Sequence, residues 1–245
     1  MGARPDAALL LLAIESAVRP GVALLRGDDV CARRECAHPA AETLLPAIAE
    51  LLAEAGVSVA DVDVFAISIG PGSFTGLRVG LSTLKGLAFG SGRLAVAVPT
   101  LAALAEDAPP GEGAVVAALD ARRGEVYAAA YDPKSGCALA WLPEGVYRAA
   151  ALADALRLPC RVVGEGAAIA ADALRARGAG VSLHPERAPH AEAVGRLGRR
   201  LLARGEGVDP ASLVPRYLRR AEAEARRTGV RVEPGAEDRT RRESF

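Results

Sequence analysis

The stretch SIGPGSFTGLRVGLSTLKGLAFG, residues 68–90, follows the apolar run Val64-Phe65-Ala66-Ile67 and passes through Gly70-Pro71-Gly72 into an unbroken helical pattern. Ser73 stands where the helix begins, and serine there accepts a hydrogen bond from an otherwise unpaired N–H of the first turn. Gly70 and Gly72 allow backbone angles that a Cβ forbids, and Pro71 fixes one φ between them. Together they predict a tight strand-to-helix elbow. Its N–H groups and positive helix end make a ready anion site, so a ligand role and a purely structural turn both stay open. Gly70, Gly72 and Ser73 are the candidate anion-binding residues.

Three generic motifs are excluded here. The spacing is G-x-G-x-x-x-G, one residue off the dinucleotide fingerprint, and Leu77-Arg78 follows Gly76 where a P-loop needs Lys-Ser or Lys-Thr. A nucleophile elbow needs G-x-S-x-G, but Phe74-Thr75 separates Ser73 from the next glycine. Along the helix, Gly76, Gly80, Thr83, Leu87 and Gly90 form one stripe, with Gly86 beside it. Interior glycine costs about 1 kcal/mol relative to alanine. The stripe therefore predicts close approach of another helix or sheet, from this chain or another.

Working outward, Leu9–Ile14, Gly21–Arg26 and Val30–Cys36 read as strands, with Gly27-Asp28-Asp29 as a turn. Leu44, Leu45, Ile48, Leu51 and Leu52 recur at helical spacing within 42–55, which ends at Gly56. Strands at 62–69 and 94–98 and a helix from Pro99-Thr100 to near Pro109 complete a β-β-β-α-β-α-β-α series. Past Pro109-Pro110-Gly111 come expected strands at 114–119, 125–131 and 138–147, a helix at 150–157, a strand at 161–163 and a helix at 167–177. The second series echoes the first. The expected division is an N-terminal lobe over 1–110, a C-terminal lobe over 111–218 and a charged tail over 219–245. That tail is more than half charged and nearly free of apolar residues, too little to offset the entropy of ordering.

Composition narrows the function classes. In 245 residues, half of them hydrophobic, the net formal charge is +0, so no global field steers the chain onto nucleic acid. Cys31, Cys36, Cys137 and Cys160 form no C-x-x-C pair, and His38, His184 and His190 form no H-x-x-x-H. No metal set and no Ser-His-Asp or Cys-His set can be assembled. The apolar Ala7–Ile14 is interrupted by Glu15 and reads as a buried first strand rather than a signal peptide. No segment is long enough to span a membrane, and the expected location is cytoplasmic.

Four segments in order, LLAIESA (residues 11–17), GPGSFTG (70–76), DARRGEVYAAAY (120–131) and PRYLR (215–219), resemble the bacterial TsaB (YeaZ) family across almost the whole chain. The resemblance implies an α/β, two-lobed actin/Hsp70/sugar-kinase-like (ASKHA, RNase H-like) fold with tandem lobes. It implies a non-catalytic subunit that pairs with TsaD, together with the ATPase TsaE. Their complex attaches threonylcarbamoyl to adenosine next to the anticodon of tRNAs reading ANN codons. Contact with TsaD in this family is a helix bundle between N-terminal lobes. By carry-over, helices 42–55 and 73–90 supply Glu42, Leu45, Ile48, Leu52, Phe74, Gly76, Gly80, Thr83 and Leu87. The same helices without TsaD would pair two copies of this chain into a homodimer.

Enzymes of such a fold bind ATP and Mg²⁺ between their lobes. Glu15 stands where the first phosphate loop would begin, one methylene longer than the Asp of relatives with LAIDTA, which disturbs Mg²⁺ geometry. Asp120 opens the second lobe's hairpin in an equivalent way. With Gly70, Gly72 and Ser73 they form the candidate nucleotide set, for which weak ATP or ADP binding is the expectation and no tight cofactor is implied. Relatives carry His-Ser-Glu before the first helix; here Ala40-Ala41-Glu42 fills those positions and His38 is displaced. The alternatives are an ATP-dependent kinase or phosphohydrolase and, behind it, a glycoprotease-like metallopeptidase, for which no ligand set exists.

Overall fold

The computed structural model describes residues 9–219 apart from 38 and 179. The charged tail beyond Arg219, the first residues of the N-terminal apolar run and His38 lie outside the described residues. The chain divides into two compact units: described residues 9–103 with 189–215, and 104–188 with 216–219.

The first unit runs β1 (Leu10–Glu15), β2 (Gly21–Arg26), β3 (Asp29–Glu35), α1 (Ala40–Glu54), β4 (Val64–Ser68), α2 (Phe74–Ala88) and β5 (Leu94–Val98); α3 (Thr100–Glu106) crosses the division. Its sheet has the order β3-β2-β1-β4-β5. β1 is antiparallel to β2 and parallel to β4, and β4 is parallel to β5. All six residues of β1 are buried, as a central strand covered on both faces requires. Successive side chains point to opposite faces. Leu10, Leu12 and Ile14 join Leu44, Ile48 and Leu51 of α1 and Leu84 of α2 in one core. Leu11 and Ala13 join Leu25, Ala66 and Val96 in a second core beneath α7 (Ala191–Ala203).

The second unit runs β6 (Ala114–Asp120), β7 (Glu125–Tyr131), β8 (Gly145–Arg148), α4 (Ala149–Ala155), β9 (Cys160–Val163), α5 (Gly166–Ile169), α6 (Ala171–Arg175) and β10 (Val181–His184). Its sheet order, β10-β9-β6-β7-β8, repeats that of the first read from the other edge. The α/β fold and its tandem repetition thus follow the expectation.

Four expectations are corrected. The lobes do not divide once at residue 110, because residues 189–215 return to the first unit. Between 138 and 147 only Gly145–Tyr147 belong to a strand; Ala138 makes one isolated bridge to Tyr131, and Leu142 turns into the core just before Pro143. The helix expected over 167–177 is two short helices separated at Ala170. β10 and α7 were not anticipated.

Candidate functional site

At the elbow, Ser73 is the N-cap of α2 and its hydroxyl accepts the Gly76 N–H at 3.2 Å. Two further amides of the elbow are engaged. The Ser73 N–H donates to the Ala17 carbonyl at 2.7 Å, and the Gly70 N–H donates to the Thr100 hydroxyl at 3.0 Å. Gly70 is left-handed at φ 119°, the conformation glycine supplies at no steric cost. A Cβ on Gly72 would lie 2.7 Å from that of Ala17. Gly72 and Ser73 therefore lock the elbow onto the turn after β1, and Gly70 ties it to the start of α3.

The glycine stripe has the same neighbour. A Cβ on Gly76 would overlap the Ser16 carbonyl, and one on Gly80 would overlap the Ser16 side chain. Both glycines are buried within the first unit, as are Ile48 and Leu52 of α1. These four residues are corrected from partner-facing to internal: they build the core between α1, α2 and the sheet. Thr83 and Leu87 are half-buried, as is Phe74, whose ring lies 3.9 Å from the guanidinium of Arg78.

The outward side of the helices is different. On α1, Glu42, Leu45, Pro46, Ala49 and Ala53 are exposed, Leu45 by 55%. On α2, Thr75, Arg78, Ser82 and Gly86 are exposed, and nothing lies within 4 Å of where a Gly86 Cβ would stand. Gly86 thus bears the helix-interior cost of glycine with no internal neighbour to require it. Periodicity had placed it beside the stripe; only the fold separates the inward glycines from this outward one.

Glu15 ends β1 and is fully buried. Its Oε1 accepts the N–H groups of Ala17 at 2.6 Å and Val18 at 2.7 Å, which shapes the turn into β2. Burial raises its pKa to about 7, against the Ser68 hydroxyl and the amides of Val18, Ala17 and Arg19, which favour the charged form. Oε2 has no hydrogen-bond partner among the described residues, and neither has the buried Ser16 hydroxyl.

Asp120, in the second unit, ends β6 as Glu15 ends β1. Its carboxylate accepts the Arg122 N–H at 2.6 Å and pairs with the Arg122 guanidinium at 3.1 Å, while its own N–H donates to Glu165 at 3.3 Å. Arg122 and Arg123 are left-handed, with φ of 68° and 60°, a conformation that costs a side-chain-bearing residue roughly 1–2 kcal/mol. Arg219 of the PRYLR segment donates to the Ala121 carbonyl and pairs with Glu125, closing the hairpin from outside. Among the described residues no group of three or more His, Cys, Asp or Glu is placed to hold a metal ion, and no helix is long and apolar enough to cross a membrane.

Comparison with known proteins bears on this arrangement. Residues 34–225 match the family model described as TsaD, tRNA N6-adenosine threonylcarbamoyltransferase. The chain is 40% identical to the tRNA threonylcarbamoyladenosine biosynthesis protein TsaB of Escherichia coli over 125 residues, 49% of this chain and 54% of that protein. With TsaB of Bacillus subtilis the identity is 30% over 84% of this chain and 92% of that protein. Alignment with the E. coli relative and with the one from Haemophilus influenzae thus spans about half of their length. The solved structure of YeaZ from Pseudomonas aeruginosa superposes with a TM-score of 0.74 at 33% identity, covering 86% of this chain and all of that one.

Proposed function

The chain belongs to the TsaB (YeaZ) family, and on that premise we propose that it is the non-catalytic partner subunit of a tRNA threonylcarbamoyl transferase complex with TsaD and TsaE. It acts there in forming threonylcarbamoyladenosine next to the anticodon of tRNAs that read ANN codons. The exposed sides of α1 and α2 meet TsaD, and tRNA is engaged through the complex. Alone, the same surface pairs two copies of this chain.

The observation that carries this reading is Gly86. It is a helix-interior glycine facing away from its own unit, on a line with the small Ser82, while α1 exposes Leu45, Ala49 and Ala53. Small residues let two helix backbones approach closely. In contrast, Asp120 is engaged by Arg122, and Glu15 is fully buried with Oε1 holding its own turn. That supports a role in assembly over one in ATP chemistry, and any ATP or ADP binding by this chain alone is weak.

The test is a reconstituted tRNA modification reaction with TsaD, TsaE, threonylcarbamoyl-adenylate and ATP, run with and without this chain. Modification that requires the chain, although the chain alone does not turn over ATP, is the expected result. Modification that proceeds equally without it overturns the proposal. ATP turnover by the isolated chain would favour the kinase or phosphohydrolase reading instead.

A further inference from the structure

On the first unit, where the turn after β1 leads into β2, a cavity of about 450 Å³ lies among Arg19, Pro20 and Gly21, the end of β3 at Arg33–Glu35, and the start of α7 at His190–Glu192. This is a size that holds small molecules, which occupy pockets of roughly 300–1,000 Å³. The backbone fixes its rim. The Cys36 N–H donates to the Pro20 carbonyl at 2.8 Å, and Gly21 pairs with Glu35 across the β2–β3 ladder. Arg19 and Glu35 are thereby held on adjoining edges of one cavity.

The charges are not all spent. Arg33 pairs with Glu192 at 2.6 Å, and Arg34 pairs with Glu50 and Glu54 of α1 at 3.4 and 2.9 Å. Arg19 has no ion pair among the described residues. Glu35 has none either, and acts on Arg33 only through longer-range attraction. One guanidinium and one carboxylate thus line the same cavity without pairing with each other. With Arg33 and Glu192 paired to each other and Arg34 held by Glu50 and Glu54, a multiply charged anion would meet Arg19 but also the repulsion of the unpaired Glu35. A ligand that carries one charge of each sign satisfies both.

We propose that this cavity binds a small zwitterion, a free amino acid or short peptide, with its carboxylate on Arg19 and its ammonium on Glu35. A guanidinium presents two parallel N–H groups to a carboxylate, and a carboxylate accepts from an ammonium through either oxygen. The volume beyond these two contacts takes the ligand's side chains. This inference stands apart from the assembly reading and does not require TsaD.

The experiment is a titration of the isolated full chain, followed by amide chemical shifts, with glycylleucine, leucine, N-acetyl-glycylleucine and glycylleucine amide. The expected result is saturable shifts at residues 19–21, 33–36 and 190–192 with glycylleucine, and binding about tenfold weaker when either terminal charge is blocked. Arg19→Ala should remove the preference for a free carboxylate, and Glu35→Gln the preference for a free ammonium. Both side chains are exposed, and an unchanged melting temperature checks that each variant folds. Leucine binding as well as the dipeptide identifies a free amino acid as sufficient. Absence of saturable shifts with any probe, blocked forms binding as well as the parent, or both variants behaving as wild type overturns the proposal.

Discussion

The side chain of Ser16 occupies the space that a side chain at Gly80 would need, its Cβ standing 2.9 Å from where a Gly80 Cβ would be placed. One turn earlier, Gly76 faces the Ser16 carbonyl in the same way, and there the obstacle is backbone. Overpacking of this kind costs about 1–3 kcal/mol, more than the gain of up to about 1 kcal/mol in helix propensity from replacing glycine. Gly76→Ala and Gly80→Ala should therefore both lower stability in urea denaturation, Gly76→Ala by more. A stabilised Gly76→Ala would mean that the turn after β1 does not sit where it is placed.

Gly86 predicts the opposite. With open space around its missing Cβ, Gly86→Ala should raise stability by up to about 1 kcal/mol. Gly86→Leu should keep the melting temperature at or above that of the wild type, yet weaken association with TsaD at least tenfold. Co-purification and thermal unfolding of the same sample separate these effects. Unimpaired association of Gly86→Leu would remove this face of α2 from the interface.

Glu15 makes stability depend on pH. Its folded-state pKa is raised from 4.5 to about 7, so between these values the folded state holds the proton more tightly than the unfolded state. The stabilisation is fully present below about pH 4.5 and is lost as pH rises through about 7, a change on the order of 3 kcal/mol. Glu15→Gln keeps an acceptor for the Ala17 and Val18 amides but cannot ionise. It should flatten this part of the profile and exceed the wild type in stability at pH 8. Parallel pH profiles of the two proteins decide the matter.

Arg219 predicts a local effect. It joins the end of the PRYLR segment to the β6–β7 hairpin through the Ala121 carbonyl and Glu125. Arg219→Ala should cost about 1–2 kcal/mol and speed amide hydrogen exchange at residues 121–125. The first unit should exchange as before. Unaltered exchange in the hairpin would show that the contact contributes nothing to its stability.

The first eight elements were legible because their apolar periodicities are clean: Leu44, Ile48, Leu51 and Leu52 all fall on the buried side of α1. α7 was not, although it covers a whole face of the first sheet. Its Gly195 and Gly198 sit against Leu25 and Ala66, where a Cβ would be too close. The tight packing that makes this helix part of the core thus required residues that weaken its helical signature. At the site, spacing grouped Gly76, Gly80, Thr83 and Leu87 on one side of α2, while Gly90, expected on the same stripe, lies exposed beyond the helix end at Ala88; a period gives a face and not its neighbour. The cavity beside Arg19 escaped for a related reason, since its lining comes from segments some 170 residues apart that meet only through the sheet.

The return of residues 189–215 to the first unit sets an order of events during protein synthesis. Five strands and their first two helices leave the ribosome early, but the face made by Leu11, Ala13, Leu25, Ala66 and Val96 is covered mainly by Ala191, Ala193, Val194 and Leu197 of α7, with Ala103 of α3 beside them. Until translation has passed α7, that apolar face has only Ala102 and Ala103 of α3 against it from its own unit. Folding of the first unit should therefore finish after the second has emerged, reversing the usual N-terminal-first sequence. A ribosome-bound chain halted near residue 110 should be protease-sensitive and chaperone-bound, and one long enough to expose α7 should not.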